Sequence, residues 1–147
     1  MVANAVRRLV YLCDTLPALM NAISHEQLVS RPEPDKWSRL EIIGHLLDSA
    51  VNNHSRFVRV QFEEAPAISY DTDRWNAAGH YRSMEPSALI GFWEQYNRHL
   101  AELILRIPEA ALERTCRTGG EPVTLDFLIN DYVVHMEHHL KEITDYS

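Results

Sequence analysis

Apolar side chains recur at three- and four-residue steps in four separate stretches of this chain, and helix-breaking residues divide the stretches from one another. That step matches the turn of an α-helix, so each stretch carries one apolar stripe that has to be buried against another element. Val6, Leu9, Val10, Cys13, Leu16, Met20 and Ile23 mark a first helix over residues 1–24, which Pro17 is expected to kink or restart. A connector follows from His25 to Trp37, where Pro32, Pro34 and Asp35 cluster. Ser38 with Glu41 three residues later is a capping box, in which the hydroxyl accepts from one orphan amide and the carboxylate reaches back to another. A second helix therefore begins at Ser38 and runs to about Phe62. Leu89, Phe92, Trp93, Tyr96, Leu100, Leu103 and Ile107 mark the third, with Pro86 in its first turn and Pro108 at its end. Thr124 caps the fourth, whose stripe is Leu125, Leu128, Ile129, Tyr132, Met136, Leu140 and Ile143.

Four striped helices with little strand signal predict an all-α fold, a four-helix bundle, and 147 residues that are 46% apolar suit a single domain over 1–147. Periodicity fails from Glu63 to Glu85, which predicts a long loop between the second and third helices; such a loop in a small domain is functional or mobile. The turn Gly119-Gly120-Glu121-Pro122 leaves room for a short hairpin, around Thr115 to Pro122, before the fourth helix.

Fourteen Lys and Arg against 21 Asp and Glu leave a formal charge of -7, which argues against nucleic acid and anionic membrane partners, both of which are held by clustered cations. The early apolar run Leu9 to Cys13 is broken by Asp14 and is too short for a signal or spanning segment. Cys13 and Cys116 have neither metal spacing nor the numbers of a disulfide scaffold, so a reducing, cytoplasmic setting is expected.

Eight histidines are the unusual feature, and His135, His138 and His139 fall within five residues. On a helix, positions four apart share a face, so His135 and His139 can reach one ion from the edge of the apolar arc while His138 points to solvent. The string His135-Met136-Glu137-His138-His139 is not a zincin motif, because no glutamate directly follows the first histidine or directly precedes the last. Nor does any glutamate stand three residues before a histidine, as di-iron bundles require. An i,i+4 pair is half a metal site, and a third ligand has to come from another helix. The second helix offers His45 and His54. His54 lies on its apolar side, whereas His45 lies almost opposite, in a stripe with Glu41, Asp48, Asn52, Arg56 and Arg59 that reads either as a solvated face or as the polar wall of a cleft.

The strings Trp37-Ser38-Arg39-Leu40-Glu41-Ile42-Ile43-Gly44-His45-Leu46-Leu47-Asp48-Ser49 and Asp131-Tyr132-Val133-Val134-His135-Met136-Glu137-His138-His139-Leu140-Lys141-Glu142-Ile143 closely resemble the DinB/YfiT-like family of four-helix proteins, as do Arg56-Phe57, Pro66 and Tyr70-Asp71. The resemblance implies a three-histidine divalent-metal site, with one ligand matching His45 and two matching His135 and His139. It also implies small-molecule chemistry: relatives include S-transferases that use low-molecular-weight thiols, a mycothiol-dependent isomerase and metal-dependent hydrolases. Relatives commonly pair, so a homodimer is expected by resemblance. This chain departs from the pattern at Glu142, where relatives often carry Gln or another His. Glu142 could orient a ligand, take a proton, bind the ion, or sit on the surface.

Three neutral imidazoles suit Zn²⁺ or Ni²⁺ and leave a position open for water or substrate, which is what a catalytic site needs. The expected reaction is activation of a low-molecular-weight thiol or water for attack on an electrophile. Candidate catalytic residues are Glu142, Asp48 and Arg56; Arg56 and Asn52 are candidates to bind the thiol cosubstrate. Tyr70, Trp75, His80 and Tyr81 would form a lid, although Trp75 could equally plug the bundle end. The rival expectation is a non-catalytic bundle with a structural metal, or a protein-interaction module.

Overall fold

In the computed structural model, which describes residues 2–147, six α-helices run in chain order: α1 Val2–Asn21, α2 His25–Val29, α3 Arg39–Arg59, α4 Thr72–Gly79, α5 Pro86–Arg106 and α6 Leu125–Ile143. Short 3-10 turns lie at Tyr81–Ser83 and Glu109–Glu113. The four long helices are the expected bundle, with α1 against α5 and α6, and α3 against both α5 and α6. Their stripes meet in one core that includes Leu9, Leu16, Phe57, Trp93, Leu100, Leu125 and Leu140. The hairpin is present as β1 Thr115–Cys116 and β2 Val123–Thr124, antiparallel, with Thr115 opposite Thr124. Among the described residues no helix is long and apolar enough to cross a membrane.

Pro17 does not restart α1, which runs through it. Proline removes the amide that would bond the carbonyl of Cys13, four residues back. Arg98 Nη2 on α5 donates to that carbonyl at 3.2 Å instead, so the helix continues with its orphan oxygen satisfied.

Two expected irregular stretches contain helices. In the connector, Ser24 and Gln27 form a second capping box that opens α2, a helix of five residues and too short to show a stripe. In the 63–85 segment, Asp71 accepts from Arg74 N–H at 3.0 Å and caps α4. That helix is anchored by a polar residue rather than an apolar one: buried Asn76 donates through Nδ2 to the carbonyl of Glu41 at 2.8 Å. It stops where His80 adopts a left-handed φ of 56°. The Tyr81 ring then lies against Gly44 of α3 and Gly79 of α4, where any Cβ would collide with it.

Candidate metal centre

The Ser38–Glu41 capping box forms and sets the start of α3, with Glu41 N–H donating to Ser38 Oγ at 3.1 Å and Ser38 N–H to Glu41 Oε1 at 2.9 Å. Neighbours then cover α3 on nearly every side: α5 on one flank, α6 on another, and α2, α4 and the Tyr81 turn on the rest. The stripe opposite its apolar arc is therefore a buried polar wall, not a solvated face: His45 is 3% exposed, and Glu41, Asp48 and Asn52 are buried beside it. Arg56 and Arg59, lower on the same stripe, are half-buried.

α6 brings His135 and His139 to this wall. His45 Nε2 and His135 Nε2 face each other at 3.4 Å. The His139 ring centroid lies 4.6 Å from that of His45 and 4.7 Å from that of His135, and one ligating atom from each of the three residues lies within 4.8 Å of the others. Burial first, and then repulsion from His139 and His135, pushes the His45 imidazolium down to about 4, and burial also lowers His135. Both rings are thus neutral near pH 7, the form that ligates metal. His139 Nδ1 is 2.6 Å from Glu142 Oε1; the carboxylate can only accept, so Nδ1 is the donor and Nε2 is the nitrogen turned to a ligand.

These donors fit a borderline divalent cation. Two nitrogens each about 2.0–2.1 Å from one ion in tetrahedral geometry stand about 3.3–3.4 Å apart, the separation found between His45 and His135. Without an ion the same approach is a long N–H···N hydrogen bond in which one of the two Nε2 atoms carries the proton.

The cluster sits between two cavities. One, of about 750 Å³, has His139, Glu142, Trp37, Lys36 and Asp35 in its wall. The other, of about 170 Å³, is walled by His135, Arg56, Asp131, Tyr70, Ser49 and Thr118. Candidates predicted from sequence divide accordingly. Glu142 is on the larger cavity, bonded to a member of the cluster. Arg56 is on the smaller, with Nε and Nη2 donating to the Ile68 carbonyl at 3.1 and 2.9 Å and Nη1 to Asn53 Oδ1 at 3.2 Å. Asp48 accepts from the Tyr81 hydroxyl. Asn52 turns back onto its own helix, donating to the Asp48 carbonyl at 2.9 Å, and walls neither cavity. Trp75 is 40% exposed and stacks edge-on with Tyr70, so it does not plug the bundle, and His80 is exposed. His138 is exposed, as its wheel position predicts, and His54 is turned away to bond Tyr96 Oη at 2.8 Å.

Sequence reasoning missed Trp37 and Asp131 as site residues. Trp37 stands one residue before the capping serine, and its ring is 4.9 Å from that of His45; Asp131, one turn before His135, lies on the same cavity as Arg56. The i,i+4 step to His135 was available as a signal for Asp131.

A four-helix bundle that gathers three histidines from two helices between two cavities defines the class of protein. The chain belongs to the DinB superfamily, whose family model matches residues 8–143. It is 25% identical over 135 residues to a Bacillus subtilis protein named "Putative metal-dependent hydrolase YfiT", covering 90% of this chain and 76% of that one. It is 28% identical over 137 residues to a similarly named "metal-dependent hydrolase" of Geobacillus thermodenitrificans, covering 90% and 76%. The solved structure of Bacillus subtilis YfiT superposes with a TM-score of 0.88 at 23% identity, over 97% of this chain and 83% of that one. Mycothiol-dependent maleylpyruvate isomerase superposes with a TM-score of 0.80 at 12% identity, over 100% and 62%. At these identities the two structures establish a shared fold.

Proposed function

We propose that the protein is an enzyme that holds a divalent cation, Zn²⁺ or Ni²⁺, on His45, His135 and His139 and directs water or a low-molecular-weight thiol against an electrophilic small molecule. The observation that carries this reading is the 3.4 Å approach of two neutral Nε2 atoms beside a third imidazole, with cavity space on both sides. The naming of sequence relatives as metal-dependent hydrolases supports the metal, and a thiol-dependent isomerase with the same fold supports the thiol. When bound, such a cation lowers the pKa of water or a thiol toward neutrality, and three uncharged ligands leave its charge undiminished.

The chain's own side chains supply the rest. Glu142 fixes the ring of His139 through one carboxylate oxygen; with the carboxylate about half-exposed on the larger cavity, the other oxygen can take a proton from the incoming nucleophile. Arg56 has committed three of its five N–H groups to the Ile68 carbonyl and Asn53. The remaining two can hold a carboxylate of the thiol cosubstrate in the smaller cavity, one wall away from His135. Water, by contrast, needs no such anchor, which makes Arg56 the residue that separates the two nucleophiles.

The test is turnover by Zn²⁺- or Ni²⁺-loaded protein with a chromogenic electrophile and a panel of thiols, alongside ester and amide probes without thiol. Metal-dependent consumption is expected, and Arg56→Ala should raise KM for thiol while leaving hydrolysis of small esters unchanged. No metal-dependent consumption of any thiol or probe would overturn the enzymatic reading in favour of a non-catalytic metal-bearing bundle.

A further inference from the structure

Two fully buried polar atoms beside the histidine cluster have no hydrogen-bond partner: Nδ1 of His45 and Oδ2 of Asp48. Native interiors seldom keep such an atom without a reason. These two are of opposite kinds, a ring nitrogen that can donate and a carboxylate oxygen that accepts, and they belong to residues three apart on α3. Side chains at i and i+3 are neighbours on a helix surface, with about 5–6 Å between Cβ atoms. α6 shows what that spacing does, because His139 Nδ1 bonds Glu142 Oε1 at 2.6 Å across the same step. Aspartate is one methylene shorter than glutamate, so the equivalent link on α3 needs a modest side-chain turn, and with both atoms closed to solvent it is direct.

The remaining atoms of Asp48 are already tied down. Its Oδ1 accepts from the Tyr81 hydroxyl, and the Tyr81 ring is held in the space left by Gly44 and Gly79. Asp48 therefore has one oxygen fixed by the turn after α4 and one left for its own helix. We propose that Asp48, held by Tyr81, is the positioning carboxylate of His45, as Glu142 is of His139. This deepens the three-histidine reading and rests on it. With Nδ1–H directed to Asp48, the lone pair of His45 is on Nε2, the atom that faces His135. Charge points the same way. Three neutral imidazoles bring none, so a dication in a half-buried site needs anions nearby, and Asp48 on α3 and Glu142 on α6 supply one each.

The experiment titrates metal-free protein with Zn²⁺ against a competing chelator, and records the visible absorption of the Co²⁺-loaded protein at saturation. Asp48→Asn and Asp48→Ala are expected to weaken Zn²⁺ binding about 10–100-fold, in the range usual for such outer partners, and to move the Co²⁺ bands. Tyr81→Phe should shift both in the same direction by a smaller factor. Melting curves of the metal-free variants identify a merely structural role, which would lower the melting temperature and leave affinity and bands at wild-type values. That result in both Asp48 variants overturns the proposal. His45→Ala separates this failure from a deeper one: if it keeps one Zn²⁺ per chain, the three-histidine reading itself is wrong, whereas metal loss in His45→Ala with unaffected Asp48 variants removes only the positioning role.

Discussion

α3 and α5 are each 21 residues long, yet α3 buries fourteen of them and α5 seven. On α5 the buried set is an ordinary stripe, Leu89, Ile90, Trp93, Leu100, Ala101 and Ile104, with one polar member. That member, Asn97, is partnered at both ends, its amide donating to the Trp93 carbonyl and its oxygen accepting from Tyr132 Oη at 2.5 Å, while the indole N–H of Trp93 itself is buried without a partner. α3 buries six polar side chains, Glu41, His45, Asp48, Ser49, Asn52 and Asn53. Each costs free energy unless partnered. Glu41 has Arg31 and Ser38, and Asn52 and Asn53 bond carbonyls one turn back. His45 and Asp48 each keep an atom unpaired, and they stand at the histidine cluster. Two helices of equal length are thus divided in kind: α5 leaves one indole N–H unpartnered within an apolar stripe, whereas α3 gathers six buried polar side chains, two of them with an unpartnered atom beside the histidine cluster.

The sharpest break of that division would be loss of the proposed ion. His139→Ala should abolish stoichiometric metal, measured by elemental analysis, at little cost to the fold, because the ring lies at the core edge. His138→Ala should leave the metal content at one per chain, since that side chain faces solvent. Metal loss from His138→Ala would mean that the exposed cluster of His138, His139 and Glu142 is the binding site instead.

On the stabilising side, Leu100→Ala truncates a side chain that is 0% exposed in the middle of α5. The expected cost is about 2–5 kcal/mol in urea unfolding, with metal stoichiometry unchanged in the folded protein. If the metal leaves as well, α5 is not the separate scaffold that the burial pattern describes.

How much of this was legible beforehand follows the same line. The apolar stripes of α1, α3, α5 and α6 and the Ser38 box gave the bundle, and the i,i+4 pair gave two of the three imidazoles, because periodicity reports directly which side chains share a face. Burial of the Glu41-His45-Asp48-Asn52 stripe was not legible. A helical wheel shows that a face is polar but not whether another helix covers it, and α3 is central, so both of its faces are inside. α2 and α4 escaped because helices of five and eight residues are started by caps and held by single contacts such as Asn76 to Glu41, which leave no stripe. That α1 runs on through Pro17 without restarting was not legible for the same reason: the orphan carbonyl of Cys13 is satisfied by Arg98, far along the chain, and no local rule sees it.

Gly44→Ala probes the junction of the two roles. A Cβ there would run into the Tyr81 ring, which also fills the space at Gly79 of α4, so the turn after α4 has to move. Overpacking of this kind costs about 1–3 kcal/mol, read from urea unfolding, and it should also detach Tyr81 from Asp48. A variant as stable as wild type would show that the Tyr81 turn yields freely and does not brace α3.

The smallest expected effect is a pH dependence at the start of α3. The Arg31 guanidinium, bonded through Nε and Nη2 at 3.0 and 2.8 Å, holds the Glu41 carboxyl below the usual range, with the Ser38 amide helping and burial opposing. A carboxyl with a depressed folded pKa binds fewer protons folded than unfolded, so its contribution is complete above the unfolded value of about 4.3 and is lost as pH falls through the folded one. Wild-type protein should therefore lose an increment of stability below about pH 4.3 that Glu41→Gln does not lose, since the amide keeps the cap acceptor but carries no charge. Urea midpoints measured from pH 6 down to pH 3 for both proteins should converge on the acid side, with wild type the more stable at pH 6. Parallel curves would mean that the polar wall of α3 is held at this end by the capping geometry alone, with the ion pair contributing nothing.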